Sequence, residues 1–336
     1  MPIFSDMPVG SAAGASAGNK SGALRRLRRA AEAMHRSIAR SEAATRIYFT
    51  LLGGLARRAP SRLREMAKWA ALGQNIPWKP LEFAARDVVV GDASPIRLHP
   101  HLGEFDGAAL FDHRLDYERA VFRWLEAHAG ARYDAIVEIG ANVGVYSVFF
   151  DQLTRRSDAR LTKIYAFEPS RTAYARLLAN LAVNDARAVT PFCVAVAKAS
   201  GFTRFFEPDG HLTNGSLAQD FAQSFSVDVR ETLVLAVDAM ALEPLLAAHR
   251  RVLVKIDAEG LEPEILAAME SLLESYRPDL LIEVLPEIDR RLRAAHCLSP
   301  YGFLHLFTDD GPRRCDSLVA DPSARDWLLT ASPIET

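Results

Sequence analysis

The chain has 336 residues, of which 49% are hydrophobic and 24% charged, and its formal net charge is −2 at pH 7. This composition is ordinary for a globular protein, and the small charge excludes a general attraction to nucleic acid. No segment approaches the ~20 consecutive apolar residues that a membrane-spanning helix needs. Cys193, Cys297 and Cys315 are far apart and have no metal-ligand spacing, which favours a reducing, cytoplasmic compartment.

The first third of the chain has a basic, low-complexity character. Residues 1–22 are rich in Gly, Ala and Ser, which predicts a disordered tail. Residues 23–112 are expected to form a basic helical extension or lid, with short strand-like pieces such as Asp87–Val90. Across residues 23–72 arginines alternate with apolar residues, a pattern typical of helices at an anionic inner membrane surface. The alternative is a helical arm that packs on the main domain or joins two copies as a homo-oligomer.

From residue 113 onwards, apolar strand patterns alternate with helical ones. This alternation predicts an α/β fold, a Rossmann-like doubly wound parallel sheet with a terminal antiparallel strand. A main domain is expected over residues 113–322, followed by a tail at 323–336. Strands are predicted over residues 135–139, 163–167, 189–194, 253–257 and 280–284, an inserted pair over 203–207 and 232–237, and a terminal hairpin over 301–307 and 314–319.

The turn after the first predicted strand has the pattern Gly140-x-Asn142-x-Gly144. Glycine at both ends lets the backbone approach a ligand closely, and the following helix directs its N-terminal N–H groups into the same space. The next predicted strand ends at Glu168, where an acidic residue can accept both hydroxyls of a ribose. The sequence therefore predicts a nucleoside cofactor site.

The spacing within this turn indicates which cofactor is bound. Dinucleotide folds use G-x-G-x-x-G, because a pyrophosphate must lie on the helix N-terminus. Here Asn142 replaces the middle glycine and Ser147 the third. The pattern favours S-adenosylmethionine, with its ribose on Glu168, its methionine against the turn and its ammonium near Glu138. A nicotinamide-dependent oxidoreductase and a non-catalytic nucleotide-binding module are the alternatives.

Several polar residues near the predicted fourth strand are candidates for catalysis. Strand alternation places Lys255 and Asp257 on one side of the sheet. Asp257 or Glu259 is the expected base for an acceptor hydroxyl, with Lys255 keeping a carboxylate ionised; a purely structural ion pair is the alternative. His211, in a polar loop, is the best base candidate outside the carboxylates. Asp238 is expected either to orient the acceptor or to cap a helix.

Glu283 ends the predicted fifth strand and could join Asp257 and Glu259 in an oxygen-rich divalent-ion site. The sequence has no clear second Asp-Asn pair for such a site. No metal is therefore predicted.

Five motifs follow one another in a familiar order. They are Val-Glu-Ile-Gly-Ala-Asn-Val-Gly at 137–144, Tyr-Ala-Phe-Glu-Pro at 165–169, Asn-Leu-Ala-Val-Asn at 180–184, Leu-Val-Lys-Ile-Asp-Ala-Glu-Gly-Leu-Glu at 253–262 and Leu-Leu-Ile-Glu-Val at 280–284. Over about residues 115–310 the chain thus resembles the FkbM-type methyltransferases. The resemblance implies a class I methyltransferase-like fold, S-adenosylmethionine as donor, and a hydroxyl acceptor on a sugar, glycan, lipid-linked molecule or secondary metabolite.

The resemblance also implies a set of cofactor-binding residues. One departure occurs at 195–198, where Ala-Val-Ala-Lys stands in place of the Gly-Asp that the family often has, so the adenine end of the site differs. The expected cofactor-binding residues are Glu138, Gly140, Ala141, Asn142, Gly144, Tyr146, Glu168, Pro169, Asn184 and Asp257.

Overall fold

The structure, a computed structural model, describes residues 33–58, 81–102, 104–209 and 211–334. The chain divides into two compact units, Met1–Arg86 with Pro100–Asp112, and Asp87–His99 with His113–Thr336. The tail predicted at 1–22 and a large part of the predicted basic helices lie outside the described residues. None of the described helices combines the length and apolarity needed to cross a membrane.

The described strands run from the first unit to the end of the second. In chain order they are β1 (Leu81–Glu82), β2 (Arg86–Val90), β3 (Ile96–Leu98), β4 (His101–Leu102), β5 (Arg114–Leu115), β6 (Ala135–Ile139), β7 (Lys163–Phe167), β8 (Val189–Phe192), β9 (Ala195–Ala197), β10 (Gly201–Pro208), β11 (Val229–Asp238), β12 (Val252–Ile256), β13 (Asp279–Glu283), β14 (Phe303–Thr308), β15 (Gly311–Cys315) and β16 (Asp326–Thr330).

The described α-helices are mostly short. They are α1 (Glu42–Arg58), α2 (Ala109–Asp112), α3 (Arg119–Arg132), α4 (Val145–Leu153), α5 (Arg171–Val183), α6 (Gln219–Phe225), α7 (Glu243–Ala247), α8 (Glu262–Ala268), α9 (Glu270–Tyr276) and α10 (Asp289–Arg293), with 3-10 helices at Phe105–Ala108, Leu212–Asn214, Ala239–Leu242 and His296–Leu298.

The first unit contains α1, α2 and the antiparallel pair of β1 and β4. Its core is formed by Phe49, Phe83 and Leu110, all fully buried, together with Ala39. The buried Arg86 guanidinium donates to the carbonyl of Leu110 at 3.0 Å. These contacts give the unit an apolar centre of its own.

The second unit is built on an eight-stranded sheet with the order β15-β14-β16-β13-β12-β6-β7-β8. Strands β8, β7, β6, β12 and β13 are parallel, and β16 runs antiparallel between β13 and β14. The direction of winding reverses between β6 and β12, as it does in doubly wound sheets. The predicted α/β, class I methyltransferase-like fold is thus confirmed.

The central strands form because their sequences are mostly apolar, apart from Glu138 in β6 and Lys255 in β12. All five residues of β6 and all five of β12 are buried, as expected for parallel strands covered by helices on both sides. Strands β6 and β7 have the predicted bounds. The inserted pair also forms, with β10 antiparallel to β11 and β9 parallel to β11.

The predicted tail at 323–336 is wrong, and so is the predicted last strand at 314–319. The turn at Asp309 and Asp310 starts the hairpin strand β15 at Gly311, where φ is 108°, and the strand ends at Cys315. The terminal antiparallel strand is β16, whose Trp327, Leu328 and Leu329 are buried between β13 and β14. A short Trp-Leu-Leu segment is apolar enough to fill a gap inside the sheet.

The strand-like piece predicted at Asp87–Val90 is confirmed, because it lies in β2. The assignment of residues 87–99 to the N-terminal extension is wrong, because they belong to the second unit. There Val88, Val90, Ile96 and Leu98 are buried in alternation with more exposed residues, which is the period of a strand and not of a helix. This segment forms β2 and β3 and belongs to the second unit.

Leucine-to-alanine substitutions test the position of β16. Leu328→Ala should lower the free energy of unfolding by about 2–5 kcal/mol, since it removes a fully buried side chain from a strand inside the sheet. Leu233→Ala in β11 is the matched control, because that side chain is 61% exposed, and it should change stability by about 0.5 kcal/mol or less. Urea unfolding curves measure both. Equal effects of the two variants would contradict the assignment of β16.

Candidate active site

Three strand ends meet at the reversal point of the sheet. The N–H groups of Gly140 and Ala141 both donate to the carbonyl of Phe167 at the end of β7, at 2.9 and 3.0 Å. On the other side, the N–H of Asp257 donates to the carbonyl of Ile139 at 3.0 Å. The turn after β6 is thus tied to β7 and β12 at once. Ligands of open α/β sheets bind at this place.

The turn contains three residues in the left-handed region, Gly140 (φ 84°), Asn142 (φ 50°) and Gly144 (φ 85°). A Cβ on Gly140 would lie 1.8 Å from the carbonyl oxygen of Asp257, and one on Gly144 would lie 2.4 Å from the side chain of Leu177. These glycines are therefore required by the protein's own packing, and their close approach to a ligand stays a prediction. The groups that exclude a side chain belong to the protein itself.

Glu168 connects the turn to the start of α5. Its carboxylate accepts from the N–H of Asn142 at 2.8 Å and from the N–H of Ser170 at 2.7 Å, and Pro169 lies between the carboxylate and that helix cap. Burial raises the pKa of Glu168 to about 7. The buried Oδ1 of Asn142 has no hydrogen-bond partner among the described residues. A carboxyl and an unpaired amide oxygen side by side fit a ligand that brings hydroxyl donors.

Glu138 is sealed within the sheet. Ser147 donates to its carboxylate at 2.5 Å, and burial raises the pKa of Glu138 to about 7. Ser147 stands where a dinucleotide fold would have its third glycine, and it is fully buried against this acid. Contact of Glu138 with the ammonium of a cofactor stays a prediction.

Lys255 lies at the centre of the site, opposite Glu138 in the pairing of β12 with β6. Its ammonium is 3.0 Å from Asp257 and 4.5 Å from the centre of the Tyr146 ring, and only 4% of the residue is exposed. Burial lowers the pKa of Lys255, but the charges of Asp257, Glu118 and Glu138 outweigh burial and raise that pKa above its ordinary value. The predicted Lys255–Asp257 pair is formed, as both of its interpretations require.

Tyr146 is the second residue of α4, directly after the turn, and its contact with the cofactor stays a prediction. Its hydroxyl donates to the carboxylate of Glu118, and its ring lies beneath the ammonium of Lys255. The sequence did not single out Glu118. This residue directly precedes α3 with a left-handed φ of 42° and makes no capping bond to the helix. In the sequence, an acidic residue directly before a helix is interpreted as an ordinary N-cap, so no signal identifies Glu118 as a site residue.

Carboxyl groups also stand at the ends of the neighbouring strands. Glu283 ends β13 and pairs with Asp326, the first residue of β16. Burial raises the pKa of Glu283 to about 8, and the charges of Asp257 and Glu262 add to the effect. Burial, together with Glu118 and Glu283, raises the pKa of Asp326 well above its ordinary value. Asp326 is not among the predicted site residues, because it lies within residues 323–336, which are predicted to be a tail.

Glu259 has a left-handed φ of 53° and is joined to the inserted loop. Ser216 donates to its carbonyl at 2.9 Å, and the side chain of Asn214 hydrogen-bonds its carboxylate. Burial and the charge of Asp257 raise the pKa of Glu259 well above its ordinary value. A carboxyl that keeps its proton cannot accept another, so Asp257 is the better candidate for the base.

The loop that carries His211 reaches the site through Asn214 and Ser216. The exposed imidazole of His211 lies 6.0 Å from the ring of Phe225, measured between centroids. Its assignment as a base stays a prediction. Asp238 caps the following 3-10 helix by accepting from the N–H of Met240 at 2.9 Å, which is the structural one of its two predicted roles.

Two asparagines, Asn180 in α5 and Asn184 at its C-cap, hold the segment around residues 97–99. The amide of Asn184 accepts from the N–H of Arg97 at 2.9 Å and donates to the carbonyl of the same residue at 2.6 Å. Asn180 accepts from the N–H of His99 and donates to the carbonyl of Val143 in the turn, at 2.9 and 2.8 Å. The side chain of Asn184 is therefore engaged with protein backbone, and its predicted cofactor contact is not visible in this arrangement.

The described residues that are grouped closely enough to hold a metal ion lie away from the strand ends of the candidate site. Three ligand atoms lie within 4.8 Å of one another in Glu270, Glu274 and His296, a mostly exposed group. Asp257, Glu259 and Glu283, the alternative considered from the sequence, do not come together in this way among the described residues.

Residues 138–305, half of the chain, match the methyltransferase FkbM domain. No curated protein matches the chain. Among solved structures it is similar to a methyltransferase FkbM from Methylobacillus flagellatus KT, at 16% identity and a TM-score of 0.38, with 58% of this chain and 43% of that one covered.

Two further solved structures are similar at lower sequence identity. A SAM-dependent methyltransferase from Agrobacterium tumefaciens is 11% identical, with 76% of this chain and 71% of that one covered and a TM-score of 0.38. M. jannaschii TYW2 in complex with AdoMet is 14% identical, with 70% and 80% covered and a TM-score of 0.33. The chain spans less than half of the FkbM structure that it matches.

Substitution of Gly140 tests the packing of the turn. Gly140→Ala should lower the free energy of unfolding by about 3 kcal/mol or more. The new Cβ would collide with the carbonyl of Asp257, and alanine would be strained at the positive φ of this position. Gly302→Ala is the control, because a Cβ there meets nothing within 4 Å, and it should change stability by about 1 kcal/mol at most. Denaturant unfolding distinguishes the two. A Gly140→Ala protein of normal stability would contradict this geometry.

Proposed function

Because the chain belongs to the FkbM methyltransferase family, we propose that it transfers a methyl group from S-adenosylmethionine to a hydroxyl oxygen of its acceptor. The acceptor class proposed is a small molecule, a glycan or a lipid-linked molecule. The observation that carries the proposal is the position of Asp257. This carboxylate is paired with a buried ammonium, is 26% exposed, and directly follows the strand packed against the glycine turn.

The residues around the turn fit the proposed cofactor. Glu168 would accept the ribose hydroxyls, and the unpaired Oδ1 of Asn142 offers a further acceptor at the same place. The first N–H groups of α4 point toward the same region. When bound, S-adenosylmethionine supplies a methyl group activated by its sulfonium.

The nicotinamide alternative fits this turn less well. In the dinucleotide motif G-x-G-x-x-G the middle residue is glycine, so that the pyrophosphate can approach the backbone, whereas here Asn142 has a side chain at that position. Ser147 replaces the last glycine of the motif and donates a hydrogen bond to Glu138. The second alternative, a binding module without turnover, is disfavoured by the paired and accessible carboxylate of Asp257.

Asp257 is proposed to accept the proton of the acceptor hydroxyl while the oxygen takes the methyl group. The ammonium of Lys255 donates to this carboxylate at 3.0 Å and fixes its direction. The raised pKa values of Glu259, Glu283 and Asp326 favour their protonated forms, so these groups are poor competitors for that proton. A base of this kind typically contributes about 10²–10⁴ in rate.

The cellular setting proposed is the cytoplasm, with no nucleic-acid partner. Contact of residues 23–72 with an anionic membrane stays a prediction, and so does the alternative of an arm in a homo-oligomer. On α1, Ile47 and Leu51 stand one turn apart and are 60% and 64% exposed, next to the exposed Arg46. An exposed apolar pair beside a basic residue supports a contact of one of these kinds.

Calorimetry with S-adenosylmethionine tests the cofactor assignment. Glu168→Ala should weaken binding by about 1–3 kcal/mol, the cost of losing hydrogen bonds to a carboxylate. Glu168→Gln should lose less, because its amide oxygen can still accept from one N–H of the turn. Glu274→Ala, on an exposed helix face, is the control and should leave affinity unchanged. Normal affinity in Glu168→Ala would remove Glu168 from the site.

Methyl transfer tests the role of Asp257. With radiolabelled S-adenosylmethionine and extracts of the source organism, Asp257→Asn should lower labelling of the acceptor by about 10²-fold or more, while cofactor affinity stays within about tenfold. Asp238→Asn is the matched control, since that side chain only caps a 3-10 helix. Mass spectrometry of the labelled product identifies the acceptor. Full labelling by Asp257→Asn would assign the base elsewhere, with His211 as the next candidate.

A further inference from the structure

The inserted strand β10 places a carboxylate beside the proposed cofactor site. Glu207 is the penultimate residue of β10 and is only 6% exposed. Its Oε1 accepts from the hydroxyl of Ser170 at 2.6 Å. Ser170 is the N-cap of α5 and stands two residues after Glu168. A side chain of the inserted sheet therefore contacts the segment whose carboxylate is proposed to bind the ribose.

The second oxygen of Glu207 is held by the neighbouring strand β11. Glu207 and Arg230 are directly opposite each other in the pairing of β10 with β11. The guanidinium of Arg230 donates to Oε2 of Glu207 from Nε at 3.0 Å and from Nη2 at 2.5 Å. Two donors on one planar, rigid group restrict the direction of the carboxylate that accepts from them. Glu207 is thus fixed on one oxygen by the inserted sheet and on the other by Ser170.

Ser170 connects Glu207 to Glu168 through two different polar groups. Its hydroxyl donates to Glu207 and accepts from the N–H of Ala173 at 3.3 Å. Its backbone N–H donates to Oε1 of Glu168 at 2.7 Å. The other oxygen of Glu168 accepts from the N–H of Asn142 at 2.8 Å. A continuous set of hydrogen bonds therefore joins the inserted sheet to the glycine turn.

These hydrogen bonds lie in the interior of the protein. Ser170 and Glu168 are buried, as Glu207 is. A buried hydroxyl or carboxylate that loses its partner is costly, because bulk water does not replace the lost bond. Removing the Glu207 carboxylate would therefore release the Ser170 side chain from its present position. The Ser170 N–H that orients Glu168 would then lose part of its support.

We propose that Glu207 is a positioning residue of the cofactor site, which holds Ser170 so that the Glu168 carboxylate faces the ribose hydroxyls. This inference rests on the proposed function, in which Glu168 accepts from those hydroxyls. Hydrogen bonds weaken steeply as their angles depart from linear, so the direction of this carboxylate determines how well it recognises a ribose. Glu207 acts through Ser170 and is not assigned a contact with the cofactor.

Calorimetry on the full chain with two ligands that differ by one hydroxyl tests the inference. The ligands are S-adenosylhomocysteine and its 2′-deoxy counterpart, and the ratio of their Kd values measures recognition of the ribose. The wild-type protein should bind the ribose form at least about tenfold more tightly, because the deoxy ligand leaves an oxygen of Glu168 without a donor. Glu207→Ala should reduce this preference to about threefold or less, as expected for a misdirected acceptor. A variant that only loosens the fold would weaken both ligands alike and keep the ratio.

Two further variants assign the effect to the bond between Glu207 and Ser170. Glu207→Gln keeps an oxygen that can accept from the Ser170 hydroxyl, so its ratio should stay within about twofold of the wild-type value. Ser170→Ala removes the same hydrogen bond from its other end and should lower the ratio as Glu207→Ala does. The double variant should lower the ratio no further, because both changes remove one interaction. If Glu207→Ala does not fold, Ser170→Ala and Glu207→Gln still give the two opposite results that the inference requires.

Glu231→Ala is the matched control. Glu231 is an exposed acid of β11, and its carboxylate lies 3.9 Å from the guanidinium of Arg204 in β10. The substitution deletes an exposed cross-strand ion pair of the same inserted sheet and leaves the Glu207–Ser170 bond in place. Exposed pairs of this kind contribute little, so both affinities and their ratio should stay within about twofold.

The outcomes separate this inference from the proposed function. A wild-type preference that both Glu207→Ala and Ser170→Ala retain, that Glu207→Gln loses as fully as Glu207→Ala, or that Glu231→Ala loses as well, would overturn the role of Glu207. S-adenosylhomocysteine binding would still stand in each of these cases. Equal binding of the two ligands by the wild-type protein would also overturn it, because Glu168 would then not recognise the ribose. Failure of the wild-type protein to bind either ligand would instead overturn the proposed function.

Discussion

The buried ammonium of Lys255 is the constraint around which the site is organised. A lysine inside a parallel strand is costly unless anions compensate it. Here Asp257, Glu118 and Glu138 share that compensation, and the ring of Tyr146 covers one side of the cation. These groups come from different elements, so the lysine also fixes how α3, α4 and β12 approach one another. Removing the ammonium would leave several buried carboxyls without their common counter-charge.

The hydrogen bonds of the glycine turn connect this centre to the rest of the sheet. The turn bonds Phe167 on one side, while on the other the strand before it bonds Asp257. Glu168 and Asn180 then fix the N–H of Asn142 and the carbonyl of Val143. The left-handed backbone conformations of Gly140, Asn142 and Gly144 persist because these hydrogen bonds hold the turn in place. The turn at the proposed cofactor site and the proposed base Asp257 are therefore connected by backbone hydrogen bonds that fix their relative position.

The sequence predicts those parts of the fold and of the candidate site that depend on residues close together in the chain. The strands β6 and β7, the glycine turn, Glu168 and the Lys255–Asp257 pair all depend on short apolar runs and on spacing along the chain. Glu118 and Asp326 were missed because each reaches the site through long-range pairing. Tyr146 and Asn184 were placed at the cofactor by motif alone, and only the folded chain shows their engagement with Glu118 and Arg97. The protein atoms that crowd Gly140 could not be predicted from local pattern, because Asp257 lies far along the chain from it.

The position of β16 has a consequence for the synthesis of the chain. This strand lies between β13 and β14, yet it is made after both of them. Until residues 326–330 leave the ribosome, the edges of β13 and β14 that β16 will occupy lack this partner. Unpaired strand edges invite pairing with other chains. The nascent protein must therefore pass through a period with an open sheet, which ends when β16 emerges and pairs.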